Sequence, residues 1–211
     1  MPRPRRVEKL DACPLCGSRW LLVAPVQPEP PFGLSQCSAC GIIFLSPRPP
    51  LDAMKTYYDA MYDREDHPHP RQQQRALRHL RRLSRYAPTP GRLLDVGAGD
   101  GYFLNAARTA GWQVEGLELA EPRVARARTW FNLSLRSCDI LAAPFPPATF
   151  DAVTMLQLLE HLHDPRAVLA RVHELLRPGG IMLLSTPNVL AYARKHRDVN
   201  SWRIHLVARK K

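Results

Sequence analysis

No apolar run in this sequence is long enough to cross a membrane. None of its 211 residues belongs to a stretch approaching the roughly 18 unbroken apolar positions that a span requires. The basic opening MPRPRRVEKLDACPLC is not followed by the apolar segment of a secretory leader. A soluble, cytoplasmic protein is the expectation. Cysteine is also scarce, five in all, and four of the five fall in two tight pairs that suit a metal better than a disulfide framework. Lysine is absent from residues 92–190, where nine Arg face ten acids and leave a balance of −1. The formal charge of +11 therefore belongs to the flanks: seven Arg against two acids in 64–85, and seven Lys or Arg against one Asp in 191–211. These flanks read as a solvated helix face and a basic tail, with phosphate tracking as the alternative. A chain of this length, 45% hydrophobic, supports one main domain and a small satellite.

What is present begins with Cys13-Pro-Leu-Cys16-Gly and Cys37-Ser-Ala-Cys40-Gly, two knuckles separated by twenty residues. Two thiolates at this spacing point at one centre, and a second such turn completes a tetrahedron. A structural zinc ion held by Cys13, Cys16, Cys37 and Cys40 is the expectation, ahead of a redox pair. A closed four-thiolate set leaves no open coordination position, so its role would be in folding. Trp20–Val23 and Ile42–Leu45 would be the strands of the ribbon, and Ser46–Pro50, with three prolines, a linker. Residues 51–86 read as two helical pieces broken near His67-Pro-His-Pro70, the second with Leu77, Leu80 and Leu83 as its apolar stripe. His67 and His69, flanked by prolines, are poor candidates for a metal.

From Arg92 the pattern alternates: strands at Leu93–Val96, Val114–Leu119, Leu133–Cys138, Ala152–Leu158 and Ile181–Ser185, with helices at Tyr102–Thr109, Pro122–Phe131 and Pro165–Leu176. Strands spaced by single helices predict a doubly wound, mostly parallel α/β sheet. Asp164 is a natural N-cap with Pro165 at the first helical position, and Arg177-Pro-Gly-Gly180 stops that helix. Gly97, Gly99 and Gly101 fall between the first strand and its helix, where a backbone bends sharply and a ligand can approach. A dinucleotide fingerprint needs its third Gly at 102, which is Tyr. Glu118, nineteen residues past Gly99 at the end of the second strand, is placed to accept from ribose hydroxyls, a feature that fits any adenosine ligand.

Asp95-Val-Gly-Ala-Gly-Asp-Gly101, Glu118, Cys138-Asp139-Ile140, Leu159-Glu-His-Leu-His-Asp-Pro165, Leu176-Arg-Pro-Gly-Gly180 and Ser185-Thr-Pro-Asn188 occur in that order. The series resembles the class I S-adenosylmethionine-dependent methyltransferases over about residues 90–188. With a zinc ribbon ahead of it, the chain is also similar to sugar C-methyltransferases; some ribosomal-RNA methyltransferases carry such a ribbon too. The resemblance implies a Rossmann-like domain over 92–190, preceded by the ribbon and linker over 1–50 and a basic helical lead-in over 51–91. It implies S-adenosylmethionine as cofactor. The methionine end would lie on Gly97, Ala98, Gly99 and Gly101, ordered by Asp95, with the ribose on Glu118. The adenine would lie between Leu119 and Ile140, its amine on Asp139. Leu119 and Ile140 serve equally well as plain core residues.

Methyl transfer is an in-line displacement at a sulfonium methyl, so the protein's task is to align the acceptor and exclude water. His161 is the candidate base, because an imidazole is substantially neutral near physiological pH. Glu160 would orient it or touch the acceptor; the alternative is that the pair only shapes its loop. His163 is expected to face solvent. The leading expectation is a small-molecule acceptor, a sugar nucleotide or secondary metabolite. RNA methylation and a non-catalytic cofactor-binding remnant are the alternatives. The remnant reading rests on the tail: only 23 residues follow Asn188, too few for a helix and two strands. Residues 191–211 are therefore expected to be a truncated tail, with the last two strands of the sheet absent and the fifth strand's edge bare. Ser201–Leu206 resembles the family's Trp and His-Leu signature between its fifth and sixth strands.

Overall fold

The computed structural model describes residues 6–23, 32–53, 67–187 and 203–211. The rest of the first expected helical piece beyond residue 53, Asn188 and Ser201-Trp202 lie outside these residues.

The N-terminal module is a three-stranded antiparallel sheet, β1 (Leu21–Val23), β2 (Leu34–Cys37) and β3 (Ile43–Leu45), in the order β1-β2-β3. The middle strand was not expected. Its Leu-Ser-Gln-Cys sequence has little apolar content, and it exists because strands on both sides supply its ladder. Ser46–Pro50, expected as a linker, is tied down instead. Arg48 exchanges backbone hydrogen bonds with Glu8 (2.8 and 2.9 Å), and the Ser46 hydroxyl accepts from Leu10 N–H at 2.9 Å. Proline removes a donor only at its own position, so the intervening Arg48 keeps its N–H for pairing.

Helix α1 (Pro70–Ser84) starts where His69 caps it, Nδ1 accepting from Arg71 N–H at 3.2 Å. Its buried stripe is Ala76, His79, Leu80 and Leu83, while Leu77 is 38% exposed. The expected stripe thus holds at Leu80 and Leu83 and fails at Leu77, with Ala76 and His79 taking the other inward places.

The main sheet runs in the order β5-β4-β6-β7-β8, built from β4 (Arg92–Val96), β5 (Gln113–Leu117), β6 (Phe150–Leu156), β7 (Leu176–Pro187) and β8 (Arg203–Arg209). Strands β5, β4, β6 and β7 are parallel, and β8 runs antiparallel to β7. Helix α2 (Tyr102–Thr109) follows β4, α3 (Glu121–Phe131) follows β5, and α4 (Pro165–Leu175) follows β6. Period-two alternation divides the interior. Leu93, Ala152, Ile181 and Leu183 face a core made with α1, α2 and α3; Leu94, Val96, Val153, Met155 and Leu184 face a second core made with α4 and Ile140–Phe145. A central strand buried on both faces is what the near-continuous apolar run of β4 demands.

Two sheet expectations are corrected. Leu133–Cys138 forms no strand among the described residues; it contributes one parallel bridge, Leu117 to Arg136, before Asp139 opens a turn. The sheet also does not stop at β7. Residues 203–209, expected in a tail, pair with Ile181–Pro187 and cover that edge. The 23 residues after Asn188 are too few for a helix and two strands, but one return strand needs only seven. Lys210 Nζ then donates to the carbonyls of His173 (2.7 Å) and Leu176 (2.8 Å), satisfying acceptors at the end of α4. At the opposite margin, Glu115 of β5 pairs with Arg92 (3.3 Å) and Arg136 (3.4 Å).

Candidate active site

The order β5-β4-β6 means the chain leaves β4 to one side and returns on the other, opening a crevice at the carboxyl ends of the strands. Gly97 N–H and Ala98 N–H both donate to Leu117 O, at 2.8 and 2.9 Å, folding the loop after β4 over the end of β5. Gly97 (φ 72°), Gly99 (φ 57°) and Gly101 (φ 84°) are all left-handed, which costs other L-residues about 1–2 kcal/mol each. Space is equally restrictive. A Cβ at Gly97 would meet Leu158 Cδ1 at 2.9 Å, and one at Gly101 would meet Leu133 Cδ1 at 2.8 Å. Ala98 is buried, so it offers the crevice its backbone only.

Glu118 lies at the floor, 9% exposed. Its Oε2 accepts from Gly99 N–H (2.8 Å) and its Oε1 from Ala120 N–H (2.9 Å), locking the carboxylate to both loops that bound the crevice. A carboxylate has about four acceptor sites, so two remain for a vicinal diol. Asp95, at the root of the glycine loop, is 1% exposed and accepts from Thr154 Oγ1 at 2.6 Å. Burial pushes its carboxyl up to about 7; the Thr154 hydrogen bond opposes this and the Glu118 charge adds to it. Leu119, 52% exposed, is no core residue, whereas Ile140, 3% exposed, packs in the second core. Asp139 is exposed, and its Oδ1 accepts from Leu141 N–H at 2.7 Å.

Across the crevice, β6 is followed by Gln157, a non-glycine residue at φ 60° whose N–H donates to Ser185 O (2.8 Å) and whose Nε2 donates to Ser185 Oγ (3.3 Å). Such backbone costs of the order of 1 kcal/mol or more and is held only by its surroundings. It turns the chain into the single 3-10 turn Leu159–His161, which carries Glu160 and His161. Glu160 Oε2 accepts from Thr186 Oγ1 at 3.0 Å. Partial burial lowers the His161 pKa below its ordinary value; Glu160 opposes this shift and Arg123 reinforces it. His163 does not face solvent: its side chain is 18% exposed, with Nε2 3.0 Å from Pro49 O.

Arg123 of α3 stands beside the glycine loop. Its guanidinium is 3.8 Å from Asp100 and 4.0 Å from Glu118, and its charge adds a little to the lowering of the His161 pKa. Sequence reading missed it because its position on α3 shows no periodic signal. Thr186 and Thr154 were more accessible: Thr186 sits inside the quoted Ser185–Asn188 motif, and Thr154 faces Asp95 in register.

In the N-terminal module the sulfurs of Cys13, Cys16, Cys37 and Cys40 all lie within 4.8 Å of one another, and no disulfide is formed. Cys13–Cys40 and Cys16–Cys37 are 3.7 and 3.6 Å apart. Four sulfurs about 2.3 Å from one zinc ion would be about 3.8 Å apart, so the set fits tetrahedral thiolate coordination. The backbone N–H of Cys40 and then that of Ala39 bring Cys37 down to about 6 against the opposing effect of burial. Burial raises Cys13, whereas at Cys40, against the backbone N–H of Ile42, burial and the neighbouring thiols push the thiol up to about 12; it is the sulfur spacing that fits a metal. Cys138 lies apart, against the second core.

A ubiquinone biosynthesis O-methyltransferase of Idiomarina loihiensis is 37% identical over 123 residues, 56% of this chain and 47% of the relative. One of Xanthomonas campestris pv. campestris is 38% identical over 112 residues, 50% and 46% respectively. The chain thus spans about half the length of the curated relatives it matches. A crystal structure of a protein from Pyrococcus horikoshii OT3 superposes with a TM-score of 0.57 at 20% identity, covering 71% of this chain and 81% of that one, and shares its fold. The methyltransferase domain family matches residues 69–209, from the cap of α1 to the end of β8. As that match takes in well over half of the sequence, the chain belongs to the methyltransferase domain family, in its class I, S-adenosylmethionine-dependent form.

Proposed function

We propose that this protein methylates a small-molecule acceptor with S-adenosylmethionine. The observation that carries this reading is the methyltransferase domain match over residues 69–209, which takes in the crevice where Glu118 is locked to Gly99 and Ala120 at the ends of the first two parallel strands.

S-adenosylmethionine would supply a methyl group already activated on a positive sulfur. The chain's own residues do the rest. Loop 97–101 presents backbone groups without side-chain obstruction, Glu118 accepts from the ribose, Asp139 accepts from the adenine amine, and Leu119 covers the ring. Asp95 acts from behind, through Thr154, as an anchor of the loop. His161, neutral at physiological pH, takes the proton of an acceptor hydroxyl at its imidazole nitrogen, and Glu160, held by Thr186, fixes the ring's surroundings. The likeness to ubiquinone O-methyltransferases favours oxygen as the methylated atom; a sugar nucleotide or secondary metabolite is the finer reading, from the ribbon. In the N-terminal module, Cys13, Cys16, Cys37 and Cys40 would hold zinc as a structural ion.

Calorimetric titration with S-adenosylmethionine and its demethylated product tests the cofactor. Transfer of a radiolabelled methyl group into a metabolite extract then tests catalysis. Heat without transfer would favour the non-catalytic reading, and no heat would reject both. The arginine face of α1, where Arg71, Arg78, Arg81 and Arg85 are exposed, keeps RNA as a second acceptor class. Steep salt dependence of RNA binding would support it.

A further inference from the structure

The N-terminal module grips the loop that carries the acid/base pair. Glu8 and Arg48, from two separate segments of that module, exchange two backbone hydrogen bonds, and Arg48 Nε lies 2.6 Å from Glu8 Oε1. The same guanidinium reaches across the junction, where Nη1 donates to the backbone carbonyl of His163 at 3.0 Å. His163 answers in the other direction, its Nε2 3.0 Å from Pro49 O and 4.0 Å from Glu8 Oε1. Arg48 is only 15% exposed, so these bonds form out of most of the solvent's reach. The first cysteine knuckle lies close by: a methyl group on Gly17 would sit 3.9 Å from Arg166 Nη1, in the first turn of α4.

The gripped loop is also held by Leu158, Leu159 and Leu162 against the second core and by Thr186 on Glu160, but on its outer side Arg48 bonds its backbone directly. Between strained Gln157 and the capped start of α4 it forms one turn of 3-10 helix, with backbone bonds from His161 N to Leu158 O (2.9 Å) and from Leu162 N to Leu159 O (3.2 Å). His163 is two residues from the candidate base, and one guanidinium fixes its carbonyl.

We infer that Arg48 and His163 are positioning residues: through them the four-cysteine module sets the loop that bears Glu160 and His161, so the module's integrity controls turnover and not cofactor binding. This inference rests on the methyl-transfer reading for its kinetic part only. A guanidinium is needed because one planar group must serve Glu8 and the His163 carbonyl together, which a lysine ammonium cannot do in the same geometry.

The test uses the full chain with its metal and compares Arg48→Ala, Arg48→Lys, His163→Ala and His163→Gln with the parent. Amide hydrogen exchange is followed in peptides covering 157–164 and 97–101, alongside transfer kinetics. Arg48→Ala and His163→Ala should each speed exchange in 157–164 by about ten-fold, the worth of a lost charge-assisted or buried hydrogen bond, and leave 97–101 unchanged. Turnover should fall by a similar factor, about ten-fold, with KM for S-adenosylmethionine within about two-fold. Arg48→Lys should behave like Arg48→Ala, whereas His163→Gln, which keeps a donor toward Pro49 O, should restore the slow exchange. Stripping the metal with a chelator should give the same local rise in 157–164. Unchanged exchange in 157–164 for both alanine variants, or an equal rise in both peptides, would overturn the inference. If the parent transfers no methyl group, the exchange pattern still decides the grip, and only the proposed function falls.

Discussion

The two walls of the crevice are built by different means. On the proposed nucleotide side the groups are mostly backbone: three left-handed glycines, N–H groups donating to Leu117 O, and a buried carboxylate locked by Gly99 and Ala120. On the proposed acceptor side they are side chains, Glu160 and His161, on a single turn that Thr186, Gln157 and the N-terminal module hold from outside. Backbone geometry leaves little freedom to vary, whereas a side-chain loop on a rigid scaffold can be altered without disturbing the sheet. One fold can thus keep a constant methyl donor while its acceptors change.

The sharpest way to break this contrast is His161→Ala. Turnover should drop by about 10²–10⁴, the usual worth of a general base, while affinity for S-adenosylmethionine stays within about two-fold by calorimetry. Because its surroundings hold the imidazole below its ordinary 6.5, the base is mostly unprotonated above that value. The rate should rise with pH in the acid range and be level above about pH 7. A rate still climbing from pH 7 to about pH 8 would place the base elsewhere.

The converse experiment is Glu118→Ala. Losing an acceptor for two backbone donors as well as the proposed ribose contact should weaken S-adenosylmethionine by about 100-fold and lower the melting temperature. Comparable losses in the turnover of bound cofactor and in its affinity would erase the distinction between the walls.

Asp95 gives a smaller, pH-dependent effect. Its folded-state carboxyl titrates at about 7 against an ordinary 3.8, so its contribution is full in acid and is lost as the pH rises to about 7. The stability of the parent relative to Asp95→Asn should therefore decline between about pH 4 and pH 7, by a few kcal/mol at most, and stay flat above. Denaturant titrations of both proteins across that range would show it. A pH-independent difference would mean that Asp95 is ionised throughout. Thr186→Val should have the mildest effect. It removes one hydrogen bond to Glu160, worth about 1 kcal/mol, and should cost turnover a few-fold with no change in cofactor binding.

The sequence made the wall of backbone legible and much of the other wall obscure. Glycines, strand ends and the Asp164–Pro165 cap are local signals, and the structure has Asp164 Oδ1 accepting from Ala167 N–H at 2.9 Å, with α2 over Tyr102–Thr109 as read from the sequence. The role of Arg123 depends on how α3 packs, and the environment of His163 on a contact 114 residues away in sequence. No spacing rule reports either. Ile140 had two readings, and only packing shows it within the second core. The absent Leu133–Cys138 strand and the unexpected β8 fail for one reason: a strand exists only if a neighbour supplies its ladder, and pairing partners are not written in the segment itself.

The outermost strands have a bearing on how the molecule behaves among its own kind. Every open sheet has two rims whose unpaired amides invite a stranger's backbone, and charged side chains there discourage stacking into fibres. Among the described residues one rim holds Glu115 between two guanidiniums, while along the other β8 exposes Leu206 and turns Lys210 inward onto the carbonyls at the end of α4. Crowded copies of this protein that approach the Glu115 rim meet charge before they meet hydrogen-bonding groups.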